Sequence, residues 1–119
     1  MTNQKGIIFA ADIDHKKMLF RVIKEVQPFI EAVKIGNIVL YEFGWSILRE
    51  LKNLTNKPLL VDLKLMDIPY VAKKIAIKAL ENGADAIMIC GSVGDETIAT
   101  CRSVFQERKT FVFTEFTHP

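Results

Sequence analysis

Three charged side chains fall within or just after a segment that otherwise has the composition of a buried strand. The segment covers residues 58–66 and contains Asp62 and Lys64, and Asp67 follows it directly. Side chains alternate between the two faces of a strand, so Asp62 and Lys64 share one face while the opposite face is entirely apolar. A structural ion pair explains such a pattern, because a buried ion needs a partner or solvent. The third charge favours a functional site at the end of the strand.

Polar side chains also lie near the carboxyl ends of other predicted strands, where α/β folds build their sites. Asp12 falls in the first strand, Lys34 in the second, and Thr117 in the fifth. The five predicted strands cover residues 7–13, 32–36, 58–66, 84–90 and 110–117. Because four strands carry polar residues at the same end, we expect these side chains to contribute to one site.

The segments between the predicted strands have the periodicity of helices that cover a sheet. The first predicted helix covers residues 16–30, and the second holds Ile47, Leu48, Leu51 and Leu54. A third begins near Pro69 and ends at Asn82 and Gly83, and a fourth follows the acidic pair Asp95 and Glu96. Strands that alternate with helices predict parallel βαβ units, so we expect a single α/β domain over residues 1–119.

The composition argues against several classes of protein. The chain has 16 basic and 14 acidic residues without a basic block, so nucleic acid is not an expected partner. Cys90 and Cys101 are far apart and form no CxxC motif, which argues against a disulfide framework or a zinc site and favours free thiols in a reducing cytoplasm. The first apolar run is too short for a signal peptide or a spanning helix. We therefore expect a soluble cytoplasmic protein without a membrane partner.

Three smaller features have ordinary structural interpretations. The stretch from Gly91 to Gly94 lacks the length and lysine of a phosphate-binding Walker loop, so we predict a plain connection between a strand and a helix. His15 lies where the first helix begins, and we expect it to cap that helix or face solvent. Cys90 ends a buried strand and is expected to pack as a small hydrophobic side chain.

The motif Asp62-x-Lys64-x-x-Asp67-Ile68-Pro69 resembles that of the orotidine 5'-monophosphate decarboxylases of the archaeal type. Lys34 in the second strand and the Gly83-Ala84-Asp85-Ala86 stretch match the same family. The resemblance implies a TIM (β/α)8 barrel that converts orotidine monophosphate to uridine monophosphate and carbon dioxide in pyrimidine biosynthesis. It implies neither metal nor cofactor, because magnesium-dependent members of the superfamily have a glutamate where Lys34 stands.

The resemblance also implies roles for individual residues. Lys34, Asp62, Lys64 and Asp67 would form a chain of alternating charges, with Lys64 as the proton donor to the pyrimidine carbon C6. Asp62 would lie against the departing carboxylate. Such an array keeps each carboxylate beside an ammonium and places positive charge where the carbanion develops.

Further residues would bind the substrate. Asp12 and Lys34 would contact the ribose hydroxyls, Thr117 would hydrogen-bond the pyrimidine, and Ile68 would line the site. Asp67 would reach the active site of a second subunit, so the resemblance implies a homodimer with shared active sites.

Two departures from the family are apparent. Val71 stands where relatives often have a threonine that contacts the ribose. The chain also covers only about the first half of the barrel, which typically needs ~250 residues and binds phosphate after strands seven and eight. We therefore expect the isolated 119-residue chain to be inactive.

Two other functions stay open at this point. One is a phosphosugar decarboxylase or synthase of the same superfamily, which Lys34 disfavours. The other is a catalytically silent half-barrel that serves as an assembly module.

Overall fold

Five parallel strands alternate with helices in the computed structural model, which describes residues 6–106 and 109–113 without the side chains of Lys64 and residues 109–113. The strands are β1 (Ile8–Ala10), β2 (Ala32–Gly36), β3 (Leu59–Leu65), β4 (Ala86–Cys90) and β5 (Lys109–Phe113). The α-helices are α1 (Lys16–Val26), α2 (Asn37–Phe43), α3 (Ile47–Leu54), α4 (Pro69–Glu81) and α5 (Asp95–Phe105). Short 3-10 turns cover Gln27–Phe29 and Gly91–Val93.

The strands form one sheet in the order β1-β2-β3-β4-β5, so each strand pairs with its neighbours along the chain. Every pairing is parallel, which places all the carboxyl ends at one edge. In the register of β2 with β3, Lys34 lies opposite Leu60 and Gly36 lies opposite Asp62. The predicted parallel βαβ units are therefore confirmed.

The core lies between the sheet and the helices that cover it. Val33, Ile35, Leu59, Val61 and Ile87 of the sheet are fully buried. The helices contribute apolar stripes at helical spacing: Leu19 and Ile23 of α1, Ile47, Leu48 and Leu51 of α3, and Ala72, Ala76 and Ala79 of α4.

The first βα unit differs from its prediction. β1 ends at Ala10 and not at residue 13, because the chain turns as the Ile13 amide donates to the Ala11 carbonyl over 2.9 Å. α1 ends at Val26 and not at residue 30. The 3-10 turn that follows contains Pro28, which has no amide hydrogen to continue an α-helix.

A helix that the periodicity did not predict follows β2. Gly36 precedes α2, and Gly44 ends it at a φ of 79°, in the left-handed region that favours glycine. The prediction of four helices is therefore wrong, because the described part of the chain holds this additional one.

The remaining elements match their predictions to within two residues at the ends that the structure describes. β3, α4 and β4 begin or end within that margin, and α5 opens with Asp95 and Glu96 as expected. The predicted continuation of the last strand to residue 117 lies outside the described residues.

Candidate active site

Asp62 and Lys34 form an ion pair at the carboxyl edge of the sheet. The Lys34 Nζ lies 3.6 Å from the Asp62 Oδ2, and the side chains are 31% and 4% exposed, respectively. Their strands are neighbours in the sheet. Lys34 lies opposite Leu60 and Asp62 is two residues further along β3, so the two side chains are diagonal neighbours. The Asp62 side chain is buried, whereas the Lys34 side chain is partly exposed to solvent. Asp62 is thus a buried charge with a cation beside it.

The pairing of β3 with β4 is irregular where the charged motif lies. Asp62 pairs with Met88, but the next residue of β4, Ile89, pairs with Leu65. The backbone of Leu63 and Lys64 therefore has no regular counterpart on β4, an irregularity that the sequence pattern did not predict. Such irregularities re-aim side chains and occur often beside active sites.

The Asp12 carboxylate lies at the end of β2, close to the backbone of Asp62. A Cβ atom on Gly36 would lie 3.6 Å from the Asp12 Oδ1 and 3.3 Å from the Asp62 carbonyl oxygen. Glycine leaves room for this close approach of backbone and carboxylate. The structure therefore brings Asp12, which is exposed, to the same edge as Lys34 and Asp62.

Asp67 and Ile68 lie in the short segment between β3 and α4, and both are exposed. The Asp67 Oδ1 accepts a hydrogen bond from the Ile68 amide over 2.8 Å. Ile68 is extended, as residues before proline usually are, and Pro69 occupies the first turn of α4.

Thr97 is a residue of this region that the sequence pattern did not single out. Its side-chain hydroxyl donates to the Asp67 carbonyl oxygen over 3.0 Å. Together with Ser92 and Val93 it lines a groove beside Asp67 and Ile68. No spacing or motif marks Thr97, because the contact joins two segments 30 residues apart.

The side chains of two predicted site residues are not among those that the structure describes. The Lys64 backbone lies in β3, but its side chain is outside the description. Thr117 lies outside the described residues altogether. Their roles remain predictions.

The smaller features match their interpretations. His15 caps α1, with its Nδ1 accepting from the Met18 amide over 3.3 Å. The stretch after β4 forms a 3-10 turn that ends at Gly94. Cys90 and Cys101 are buried free thiols, and burial raises the pKa of the Cys101 thiol.

Residues 6–106 and 109–113 contain no group of three or more histidine, cysteine, aspartate or glutamate side chains that could hold a metal ion. No helix in this part of the chain is both long and apolar enough to cross a bilayer.

Orotidine 5'-phosphate decarboxylases are among the known proteins to which this chain is similar. An orotidine 5'-phosphate decarboxylase of Methanocaldococcus jannaschii is 30% identical over 115 residues, which cover 95% of this chain and 54% of the relative. The enzyme of the same name from Thermococcus kodakarensis is 32% identical over 116 residues, which cover 98% and 53%. The chain therefore spans about half the length of the curated relatives it matches.

The same similarity holds in three dimensions. The crystal structure of the Methanocaldococcus jannaschii orotidine 5'-monophosphate decarboxylase, complexed with the inhibitor BMP, superposes with a TM-score of 0.91 at 28% identity. The superposition covers 98% of this chain and 55% of that one. The fold is accordingly that of a TIM barrel, and this chain corresponds to the N-terminal half of one. The model of the orotidine 5'-phosphate decarboxylase / HUMPS family matches residues 5–119, and the chain belongs to that family.

Proposed function

We propose that the protein carrying this chain decarboxylates orotidine 5'-monophosphate to uridine 5'-monophosphate and carbon dioxide, as a carbon–carbon lyase of pyrimidine biosynthesis. The observation that carries the proposal is the buried Asp62 carboxylate paired with Lys34 at the carboxyl edge of the sheet, in a chain whose family model matches nearly its whole length. Several relatives of the chain have this enzyme name.

In the proposed reaction, the bond between the pyrimidine C6 and the carboxylate carbon breaks. The electron pair stays on C6, carbon dioxide leaves, and the Lys64 ammonium delivers a proton to C6. The resulting amine regains its proton from water. No other reactant is needed, and we propose that the reaction uses neither metal nor cofactor.

The environment of Asp62 suits a role beside the substrate carboxylate. Its side chain is 4% exposed, so its charge acts through a medium of low polarity, where electrostatic interactions are strong. The Lys34 ammonium supplies the neighbouring positive charge, and the Lys34 side chain is 31% exposed, which leaves it accessible to a ligand. Asp12 lies at the same edge, which supports the proposal that Asp12 and Lys34 bind the ribose hydroxyls.

The segment after β3 supports the proposal of a homodimer with shared active sites. Met66, Ile68 and Tyr70 are large apolar side chains that are 52%, 63% and 67% exposed, and Asp67 stands among them. Clusters of exposed apolar side chains often mark protein–protein contacts. In a dimer, this segment would carry Asp67 and Ile68 into the partner's site. The proposed setting is the cytoplasm.

The proposal assigns residues 1–119 to one structural unit, the N-terminal part of a (β/α)8 barrel. Phosphate sites of such barrels are frequently built after strands seven and eight. Because the relatives are about twice as long as this chain, we propose that the isolated chain does not turn over the nucleotide.

The direct test is the decarboxylation of orotidine 5'-monophosphate by the complete protein, followed by ultraviolet absorbance. Lys64→Ala is expected to lower kcat by roughly 100-fold to 10,000-fold, the usual contribution of a general acid. Lys73→Ala, which removes an exposed lysine of α4, is the matched control and should keep the activity. The urea midpoint of both variants should match that of the wild type.

Three results would contradict the proposal. A wild-type protein without decarboxylase activity would overturn the function. A Lys64→Ala variant with near wild-type turnover would remove Lys64 from the reaction. A Lys64→Ala variant that unfolds would show a structural role for this side chain.

A further inference from the structure

The segment that carries Asp67 is exposed, and several of its hydrogen bonds are local. Met66, Asp67 and Ile68 are all exposed, and β3 ends just before them at Leu65. The bond from the Ile68 amide to the Asp67 Oδ1 joins adjacent residues. Pro69 restricts only the backbone of the residue before it. The Ile68 carbonyl also accepts from the Ala72 amide over 3.0 Å, which joins the segment to α4. None of these bonds reaches α5.

A hydrogen bond from α5 restrains the Asp67 backbone from a distant part of the chain. Thr97 lies in the first turn of α5, is 2% exposed, and donates its hydroxyl to the Asp67 carbonyl oxygen over 3.0 Å. The hydroxyl does not cap its own helix, so its bond to Asp67 joins the segment after β3 to the helix that follows β4. A buried hydroxyl without a partner is costly, which favours retention of this bond.

α5 is itself firmly placed. It packs along α4, and its buried residues Cys101 and Phe105 belong to the main core. The Thr97 hydroxyl therefore joins the backbone of the exposed Asp67 to the packed helix α5.

We propose that Thr97 is a positioning residue, which holds the Asp67 backbone so that the carboxylate points to its place of action. This inference rests on the proposed function, in which Asp67 belongs to the active site. Thr97 itself has no contact with the substrate in this proposal and acts through Asp67.

The test compares three variants of the complete protein. Thr97→Val removes the hydroxyl at nearly the same shape, and Thr97→Ser retains it. Thr100→Val is the matched control, because the Thr100 hydroxyl bonds to the Glu96 carbonyl within the same helix. Thr97→Val should lower kcat/KM for orotidine 5'-monophosphate about tenfold, which corresponds to about 1.4 kcal/mol. Thr97→Ser and Thr100→Val should keep the wild-type value.

A second comparison separates positioning from stability. Asp67→Ala removes the carboxylate but keeps the carbonyl oxygen to which Thr97 donates. If Thr97 acts through the carboxylate, Thr97→Val should have no further effect on kcat/KM in the Asp67→Ala background. The same tenfold loss in both backgrounds would overturn the inference in favour of a general structural role.

Hydrogen exchange gives a readout that does not depend on activity. Thr97→Val should accelerate exchange of the Ile68 amide about tenfold while the amides of β4 keep their rates. Unchanged exchange at Ile68 would overturn the inference. Full activity of Asp67→Ala, or no activity of the wild type, would contradict the proposed function. Accelerated exchange at Ile68 in Thr97→Val would still show that Thr97 anchors this segment.

Discussion

The Lys34–Asp62 ion pair should have a larger coupling free energy than a surface ion pair whose charged atoms are closer together. The perturbation is a double-mutant cycle with Lys34→Met, which keeps the apolar stem, and Asp62→Asn, which keeps the shape. Lys34→Met should destabilise the protein more than Asp62→Asn, because it removes a cation that lies beside a buried negative charge. In the Asp62→Asn background, Lys34→Met should cost little.

The magnitude follows from distance and burial. At 3.6 Å, two unit charges attract by about 4.6 kcal/mol at an effective dielectric constant of ~20 and by about 1.2 kcal/mol in bulk water. Asp62 is buried, but the Lys34 ammonium is partly solvated, so the coupling should lie between these values and toward the lower end. We expect a coupling free energy of about 1.5 to 3 kcal/mol.

The chain offers a matched control in the pair between Lys16 and Glu50. These side chains are closer, with Nζ 3.1 Å from Oε1, but they are 46% and 42% exposed. Exposed pairs of this kind contribute about 0.2 to 1 kcal/mol. The cycle of Lys16→Met and Glu50→Gln should give a coupling in that range, although distance alone would predict the larger value for this pair.

Urea unfolding, followed by circular dichroism, measures both cycles. A rise from 0.05 M to about 1 M salt should reduce the Lys16–Glu50 coupling much more than the Lys34–Asp62 coupling, because salt screens exposed charges most. A Lys34–Asp62 coupling below about 0.5 kcal/mol would refute the reasoning. So would equal sensitivity of both couplings to salt, which would show that Asp62 is solvated in solution.

Three further predictions concern the site and the thiols. If Lys34 replaces the carboxylate of metal-dependent relatives, decarboxylation should survive exhaustive chelation with EDTA; loss of activity and its recovery with magnesium would contradict this. If active sites are shared, mixing Asp67→Ala subunits with Lys64→Ala subunits should restore about one working site per mixed dimer, and mixed dimers without activity would place both residues in one subunit's site. Because Cys90 and Cys101 are buried and the pKa of Cys101 is raised, both should react with iodoacetamide only slowly until guanidinium unfolds the protein; rapid labelling of the native protein would show that they are accessible.

Much of the fold was predictable because strand and helix periodicities alternate clearly along the chain. Pro69 marks the start of α4, and the acidic Asp95 marks the start of α5, as helix-end preferences predict. The burial of Asp62 was predictable from the apolar residues around it. Segment 37–43 was not, because a short apolar run directly after a strand does not distinguish a strand from a helix.

The parts of the site that escaped prediction depend on tertiary geometry. The irregular pairing of β3 with β4 beyond Asp62 is decided by the partner strand and not by the local sequence. The contact of Thr97 with Asp67 depends on where α5 packs, which no local pattern records. The pairing of Lys34 with Asp62 follows once two parallel strands are placed side by side.

The order of the strands has a consequence for how this chain reaches its structure during synthesis. Ile8 pairs with Ala32, Val33 with Leu59, Leu60 with Ala86, and Ala86 with Lys109, so each pairing closes a loop of roughly 25 residues. Every closure has a similar and moderate entropic cost, so none of these described pairings needs a partner from a distant part of the sequence. Lys34 and Asp62 lie on strands joined by one such closure, so their meeting requires only the second and third strands of the sheet.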